Sequence, residues 1–185
     1  MIILASGSPR RREILNMLGF DFKVAAAECD ETTTLKRPAE VVKLLSKRKA
    51  QYVKADKKYN EEDIIIGADT VVYCDGKILG KPKDKNNAFN MLRFLSGKTH
   101  YVYTGICVIK GDRIINEYDK CAVRFTKMTD KDILEYVSTN EPMDKAGAYG
   151  IQGKGSAYID KINGSFFTVM GLPCHLIAKI LKEFL

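Results

Sequence analysis

The chain has 185 residues, of which 45% are hydrophobic, and its 30 Lys and Arg outnumber its 23 Asp and Glu to give a formal net charge of +7. This length suits one well-buried core and is short for two full domains, so we expect a single domain over residues 1–185. Because there is neither an apolar run of the roughly 18 residues that a membrane span needs nor a charged-then-apolar leader, we expect a cytoplasmic protein with no membrane partner.

The first predicted elements are a buried strand over residues 2–5 and a helix that begins at Pro9, with Ser8 as its N-cap, and ends near Gly19. Residues 10–12 place three arginines in the first turn of this helix. The positive end of a helix dipole disfavours them there by roughly 0.3 to 1 kcal/mol each. A bound phosphate would reverse this disadvantage, because the backbone N–H groups, the dipole and the guanidinium groups would face one negative charge. The turn is a candidate anion site, and a solvated basic turn is the alternative.

A strand is predicted over residues 20–26 and an amphipathic helix over residues 38–54, with three acids in the loop at residues 28–31 between them. Residues 64–73 form two dense apolar runs separated by a small segment and Asp69, which predicts the centre of the sheet.

The second half of the chain continues the alternation of strands and helices. The predicted elements are a hairpin turn at Asp75-Gly76, a helix over residues 86–95, a hairpin of residues 101–109 and 113–125, a helix over residues 129–138, a strand over residues 156–162 and a helix over residues 172–185.

Asp69 is the strongest single candidate for chemistry. It directly follows the apolar residues 64–68, so we expect it to emerge from a buried strand, where a carboxylate is costly without a partner or a metal. An acid that caps a turn is the alternative. Asp30 and Glu31 offer further carboxylates, and Mg²⁺ typically uses one or two such groups together with water and substrate phosphates. These three acids are a candidate metal site.

Two later segments have the chemistry to bind a nucleotide. Lys81, between Gly80 and Pro82, could reach a phosphate as a point charge, although the proline excludes a Walker motif. The glycines of residues 147–155 permit close backbone approach, and Gln152 has both a donor and an acceptor for reading a base edge. A flexible surface loop is the alternative for that segment.

Cysteines and histidines give no pattern typical of a catalytic or metal site. The five cysteines are odd in number and widely spaced, so we expect neither a disulfide framework nor a zinc site. His100 and His175 are the only histidines, and we interpret each as a packed or surface residue rather than a ligand.

Six motifs, taken in order, resemble one family throughout the chain. They are Ala5-Ser6-Gly7-Ser8-Pro9-Arg10-Arg11, Gly67-Ala68-Asp69-Thr70-Val71, Gly80-Lys81-Pro82, Ser96-Gly97-Lys98-Thr99-His100, residues 144–153 (DKAGAYGIQG) and Gly171-Leu172-Pro173. This set resembles the Maf proteins, a family of nucleoside triphosphate pyrophosphatases. The segment Tyr149-Gly150-Ile151-Gln152-Gly153 is similar to the branch that acts on dTTP and UTP rather than 7-methyl-GTP.

The resemblance implies an α/β fold shared with inosine triphosphatases: a long, twisted mixed sheet flanked by helices, with the nucleotide in a cleft between two lobes, in a homodimer. It also implies a hydrolase that converts a pyrimidine nucleoside triphosphate to the monophosphate and pyrophosphate with a divalent cation such as Mg²⁺ or Mn²⁺. Pool cleansing and a link to cell division are the cellular roles that it suggests, and modified pyrimidine nucleotides are further candidate substrates.

Roles for individual residues also follow from the resemblance. Asp69 matches the catalytic acid, as general base or as metal ligand, and Glu31 matches a metal or water partner. The positions linked to base selectivity are Arg10, Thr70 and Gln152. The positions around the triphosphate and metal are Ser6, Arg11, Glu31, Lys49 and Lys81, with Lys47 and Arg48 as neighbouring choices for Lys49.

The second hypothesis is a nucleic-acid-binding or regulatory module that uses the basic surface. The net charge would attract any polyanion, but the lysines are spread beside acids rather than concentrated on one face. Glu31 and Asp69 would also repel a phosphate backbone. We therefore favour the enzyme and expect no nucleic-acid partner.

Overall fold

A computed structural model describes all 185 residues. The chain forms seven strands, which cover Ile2–Ala5 (β1), Phe22–Val24 (β2), Ile64–Cys74 (β3), Lys77–Leu79 (β4), Thr99–Lys110 (β5), Arg113–Phe125 (β6) and Ile159–Asn163 (β7). The α-helices cover Pro9–Met17 (α1), Pro38–Lys54 (α2), Lys85–Leu95 (α3), Asp130–Ser138 (α4), Phe166–Met170 (α5) and Cys174–Lys182 (α6). Short 3₁₀ turns occupy Glu141–Asp144, Ala146–Ala148 and Lys154–Tyr158.

The strands form a mixed sheet in the order β2-β1-β3-β5-β6-β7, with β4 paired to β3. Strand β1 is parallel to β2 and β3, whereas β4 is antiparallel to β3 and β7 is antiparallel to β6. The predicted mixed α/β sheet is therefore confirmed. No helix has the length and apolar character needed to cross a bilayer.

The chain divides into two compact units. The first comprises residues 1–69, 104–119 and 171–185, and the second comprises residues 70–103 and 120–170. The long strands β3, β5 and β6 contribute residues to both. The prediction of a single domain over residues 1–185 stays a prediction.

Each unit has an apolar core of its own. In the first unit, residues of β1, α2, β3 and β5 pack together around fully buried Ile3, Ala50 and Cys107. In the second unit, α3 and α4 pack with the strands around Leu92, Val123 and Ile133. All five cysteines are free thiols.

Several predicted elements are confirmed with their bounds. Helix α2 covers the predicted residues, and the Asp75-Gly76 turn joins β3 to β4 with both residues at positive φ. Helix α4 begins with a capping box in which the side chains of Thr129 and Asp132 each accept from the other's backbone N–H.

Other predicted bounds were wrong. Strand β7 begins at Ile159 rather than at residue 156, because a 3₁₀ turn occupies Lys154–Tyr158. Strand β2 has three residues instead of seven, and the short helix α5 was not predicted. Asp69 lies inside the continuous strand β3 and does not cap a turn, because the strand continues past residues 64–67, which pair in register with β1.

Candidate active site

The turn between β1 and α1 folds around a buried arginine. Arg11 is only 9% exposed, and its Nε donates to the carbonyl of Gly171 at 2.8 Å while Nη1 donates to Ser6 Oγ at 2.9 Å. Ser8 occupies the N-cap position before Pro9, but its side chain makes no capping hydrogen bond. Its backbone N–H instead donates to Ser6 Oγ at 3.3 Å.

The three arginines of this turn have different surroundings. Arg12 is exposed and donates from Nη2 to the carbonyl of Gly7 at 3.1 Å. Arg10 is half-buried, and its charge contributes to lowering the pKa of Arg11. Burial is the largest cause of that lowered pKa, and the negative charges of Asp69 and Glu31 oppose it. Arg11 is thus an arginine whose charge interacts with those of the candidate carboxylates.

Helix α2 comes unusually close to strand β3 at Gly67. A Cβ placed on Gly67 would lie 2.1 Å from the Ser46 carbonyl oxygen and 2.8 Å from the Ala50 nitrogen. Since Lys49 lies between these two helix residues and Asp69 lies two residues after Gly67, this contact brings the two side chains together. Lys49 Nζ is 2.5 Å from Asp69 Oδ1.

Asp69 is 7% exposed, and its carboxylate interacts with the positive charges of Lys49 and Arg11 and with the negative charge of Glu31. Burial raises its pKa above the ordinary value, while the ammonium of Lys49 and the guanidinium of Arg11 act in the opposite direction. A carboxylate with a raised pKa is a stronger proton acceptor, which is the property a general base needs.

Glu31 completes this group from the loop before α2. Its carboxylate lies 2.8 Å from the same Lys49 ammonium that contacts Asp69. Five of the residues named from the sequence therefore lie in the first unit, in contact with one another or in the electrostatic surroundings of Asp69. We call them the Asp69 cluster: Ser6, Arg11, Glu31, Lys49 and Asp69.

The donor set of this cluster fits a divalent cation. Two carboxylates from different elements converge on one positive charge, the Lys49 ammonium, and carboxylate oxygens are the ligands that Mg²⁺ prefers. The larger site with Asp30 was wrong, because Asp30 is exposed and its two oxygens accept from the backbone N–H and hydroxyl of Thr32. No group of three potential ligands forms.

The choice among residues 47–49 also follows from contacts. Arg48 Nη1 donates to the carbonyls of Asp30 at 3.1 Å and Thr32 at 2.7 Å, so this side chain holds the loop. Lys49 is the one that contacts the carboxylates.

Of the remaining predicted residues, Arg10 lies in the first unit, whereas Thr70, Lys81 and Gln152 belong to the second. Lys81 is exposed, and the carbonyl of Gly80 beside it accepts from the N–H of Gly147 at 3.0 Å. This hydrogen bond joins the Lys81 turn to the start of residues 147–155, which we call the Gln152 loop.

The Gln152 loop is anchored by its backbone. The N–H of Gly150 donates to Tyr136 Oη at 3.1 Å, and the N–H groups of Lys154 and Gly155 donate to the Glu141 carboxylate at 2.9 and 3.0 Å. Gly150 and Gly155 are both buried. A flexible surface loop is therefore the wrong interpretation of this segment.

A buried aromatic group lies beneath the same loop. His100 Nε2 and Tyr149 Oη are 2.7 Å apart, and the rings of both pack edge-on against Phe125. Burial lowers the pKa of His100 to about 4, so its imidazole is neutral near pH 7. The predicted packing role of His100 is confirmed, and His175 lies at the surface, 3.9 Å from Asp119.

Sequence reasoning missed the residues that support the loop. Glu141 and Tyr136 lie 11 and 16 positions before Gln152, and no short-range pattern relates them to it. The sequence also did not reveal that the carbonyl of Gly171 holds Arg11, 160 positions away, although Gly171 lies in one of the six motifs. A long-range contact of this kind leaves no periodic signal in a single sequence.

Comparison with known proteins gives matches along the whole chain. The family model for Maf-like protein matches residues 1–184. The chain is 44% identical to a dTTP/UTP pyrophosphatase of Bacillus anthracis over 184 residues, which are 99% of this chain and 95% of that protein. Proteins with the same name match at 44% in Bacillus cytotoxicus (98% of this chain, 94% of the relative) and 43% in Bacillus cereus (99% and 95%).

Proposed function

The chain belongs to the Maf-like protein family, and we propose that it is a hydrolase that converts dTTP and UTP to the nucleoside monophosphate and pyrophosphate. The observation that carries this proposal is the buried Asp69 carboxylate, which lies against Lys49 in the charged surroundings of Arg11 and Glu31. Such a group of fixed charges suits a reaction in which positioning and electrostatic stabilisation supply most of the catalysis.

Asp69 is the proton acceptor in this proposal. The oxygen of a water molecule bonds to one of the two phosphorus atoms of the α–β linkage, and the bond from that phosphorus to the bridging oxygen breaks. The bridging oxygen leaves with the electron pair on the other fragment, which gives the monophosphate and pyrophosphate, and the water proton passes to the Asp69 carboxylate. The raised pKa of Asp69 supports this role, because the carboxylate is more basic than an exposed one. Lys49 keeps the carboxylate in place through the contact at 2.5 Å.

The basic residues bind the triphosphate. Arg11 is oriented by its hydrogen bonds to Ser6 and Gly171, so its charge is placed before the substrate arrives. A guanidinium group suits phosphate oxygens through its fork of donors, whereas Lys81 contributes a point charge. Ser6 contributes by accepting the hydrogen bond from Arg11 Nη1 that orients the guanidinium group.

A divalent cation such as Mg²⁺ or Mn²⁺, held by Glu31 and Asp69, would supply neutralisation of the phosphate charge. The convergence of these two carboxylates on a single ammonium supports that assignment.

Base selection belongs to Arg10, Thr70 and Gln152 in this proposal. The side-chain amide of Gln152 offers one donor group and one acceptor, which suits the carbonyl and N–H edge of thymine or uracil. The anchored backbone on either side of Gln152 supports this role, because a reading group must be held in position to discriminate.

Incubation of the protein with a panel of nucleoside triphosphates and Mg²⁺ or Mn²⁺ tests the proposal. We expect pyrophosphate and the monophosphate as products, with dTTP and UTP preferred over dCTP, CTP and the purine nucleotides. Release of single orthophosphates would overturn the reaction type. Strongly salt-dependent binding of an oligonucleotide, with no hydrolysis of any triphosphate, would instead favour a nucleic-acid-binding module.

We also propose a homodimer and a cytoplasmic location, which the family resemblance implies. Sedimentation equilibrium measures the first directly, and we expect the mass of two chains. A single-chain mass over the concentration range used for the activity assays would contradict the dimer.

A further inference from the structure

Glu141 lies at the centre of a hydrogen-bonded network that brackets Gln152. Its Oε1 accepts from the Tyr136 hydroxyl at 2.9 Å and from the N–H of Gly155 at 3.0 Å, and its Oε2 accepts from the N–H of Lys154 at 2.9 Å. The Tyr136 hydroxyl in turn accepts from the N–H of Gly150 at 3.1 Å. One carboxylate therefore anchors the loop on both sides of Gln152. It binds the backbone at Lys154 and Gly155 itself, and it reaches Gly150 through the Tyr136 hydroxyl.

The loop backbone is shaped to fit against this carboxylate. Gly153 has a φ of +87°, and a Cβ placed on it would lie 2.9 Å from Glu141 Oε2. A Cβ on Gly155 would lie 2.5 Å from both the Gly150 carbonyl oxygen and the Tyr136 hydroxyl. Side chains at these two positions would push the loop off the two residues that anchor it.

The charge of Glu141 is matched to its surroundings. Burial raises the pKa of Glu141, but the N–H groups of Gly155 and Lys154 and the hydroxyl of Tyr136 outweigh that cost, so the pKa is lowered. Lys145 Nζ also lies near, donating to the Glu141 carbonyl at 2.7 Å. An ionised carboxylate accepts only, which suits a site where three donors converge.

Only Ile151, Gln152 and Gly153 lie between the anchored residues Gly150 and Lys154. A segment this short has little freedom when both ends are fixed, so the position of Gln152 is set before a nucleotide binds. We propose that Glu141, acting through Tyr136 and the loop backbone, is a positioning residue that orients Gln152 and thereby sets the selectivity for uracil and thymine over cytosine. This inference rests on the proposed function of the enzyme.

The test compares the variants Glu141→Ala and Glu141→Gln with Glu135→Ala, which removes an exposed glutamate of α4 in the same unit. UTP and CTP are the matched substrates, because they differ only at the base edge that an amide can read. For Glu141→Ala we expect the ratio of kcat/KM for UTP over CTP to fall at least about tenfold, which corresponds to about 1.4 kcal/mol. The KM for UTP should rise while kcat stays within about threefold, because the Asp69 cluster is unaltered.

Glu141→Gln keeps an acceptor oxygen and should restore part of the ratio, and Glu135→Ala should leave it unchanged. Amide hydrogen exchange provides a readout that needs no activity: the N–H groups of Gly150, Lys154 and Gly155 should exchange faster in Glu141→Ala than in the parent protein.

An unchanged UTP/CTP ratio in Glu141→Ala, or unchanged exchange at those three amides, would overturn the role of Glu141. An equal loss of kcat with both nucleotides, with KM unaltered, would indicate general damage to the fold and would also overturn it. Failure of the parent protein to release pyrophosphate from UTP would overturn the proposed function itself, which is a different result from an active enzyme with an unaltered ratio.

Discussion

The Asp69 cluster and the Gln152 loop are held in place by different interactions. In the first unit, ionised side chains from separate elements face one another, as in the contact between Lys49 and Asp69 at 2.5 Å. In the second unit, backbone N–H groups donate to the side chains of Glu141 and Tyr136. The first arrangement suits charge changes during a reaction, and the second suits a fixed position for reading a base. Substitutions in the two regions should therefore have different kinetic effects.

The largest effect is expected for the substitution Lys49→Met. Removing this ammonium leaves Asp69 and Glu31 without their shared counter-charge, so kcat/KM for dTTP should fall on the order of 10²- to 10³-fold. The nearby Lys47→Met is the matched control and should change kcat/KM less than about twofold. The preference for dTTP over dCTP should persist in both variants. Steady-state kinetics measure kcat/KM for both variants. Equal losses of kcat/KM in Lys49→Met and Lys47→Met would contradict a specific role for Lys49.

A stability measurement tests how α2 is placed against β3. Gly67→Ala introduces a Cβ 2.1 Å from the Ser46 carbonyl oxygen, which forces the helix and the strand apart. We expect the free energy of unfolding to fall by about 3 kcal/mol. Gly7→Ala is the control, since a Cβ there meets no heavy atom within 4 Å. Urea unfolding of both variants gives the comparison, and a stability of Gly67→Ala equal to that of Gly7→Ala would contradict the close approach.

The second region should show its own dependence on pH through His100. The pKa of His100 falls from an ordinary value of 6.5 to about 4 in the folded chain, because burial disfavours the charged form. As the pH falls, His100 therefore binds a proton in the unfolded chain at a higher pH than in the folded chain. This contribution to stability is complete above pH 6.5 and is lost as the pH falls. By pH 5 the free energy of unfolding has decreased by about 2 kcal/mol on this account.

The variant His100→Gln tests this dependence, because a glutamine can still bond Tyr149 but does not titrate. Urea unfolding at pH 7 and pH 5 should show a smaller loss of free energy in the variant than in the parent protein. An identical loss in both proteins would mean that His100 is not buried in its neutral form.

Local patterns explain why so much of the fold could be predicted. Helix α2 shows apolar periodicity, and α4 carries its own capping residues Thr129 and Asp132, so each element is specified by neighbouring residues. The sequence predicts a strand from residue 156, whereas a turn occupies Lys154–Tyr158, because the conformation of this turn depends on Glu141, a distant acceptor of its first amide groups.

In the candidate site, too, features set by neighbouring residues could be predicted, whereas features set by distant contacts could not. Asp69 was identifiable from its position after an apolar run, but its pairing with Lys49 depends on the close packing of α2 on Gly67. The assignments of Ser6, Lys49 and Thr70 come from the family resemblance alone, whereas Glu31 and Lys81 are also candidates from the residues around them. The roles of these residues stay predictions until the variants are measured.

The most direct test of the different roles assigned to the Asp69 cluster and the Gln152 loop is a single measurement on Asp69→Asn. Initial rates of pyrophosphate release from dTTP and from dCTP are measured over a range of nucleotide concentrations in the presence of Mg²⁺, for the variant and for the parent protein. We predict that kcat falls on the order of 10³-fold while the ratio of kcat/KM for dTTP over dCTP stays within about twofold of that of the parent protein. Pyrophosphate release near the parent rate, or loss of the preference for dTTP, would contradict the account.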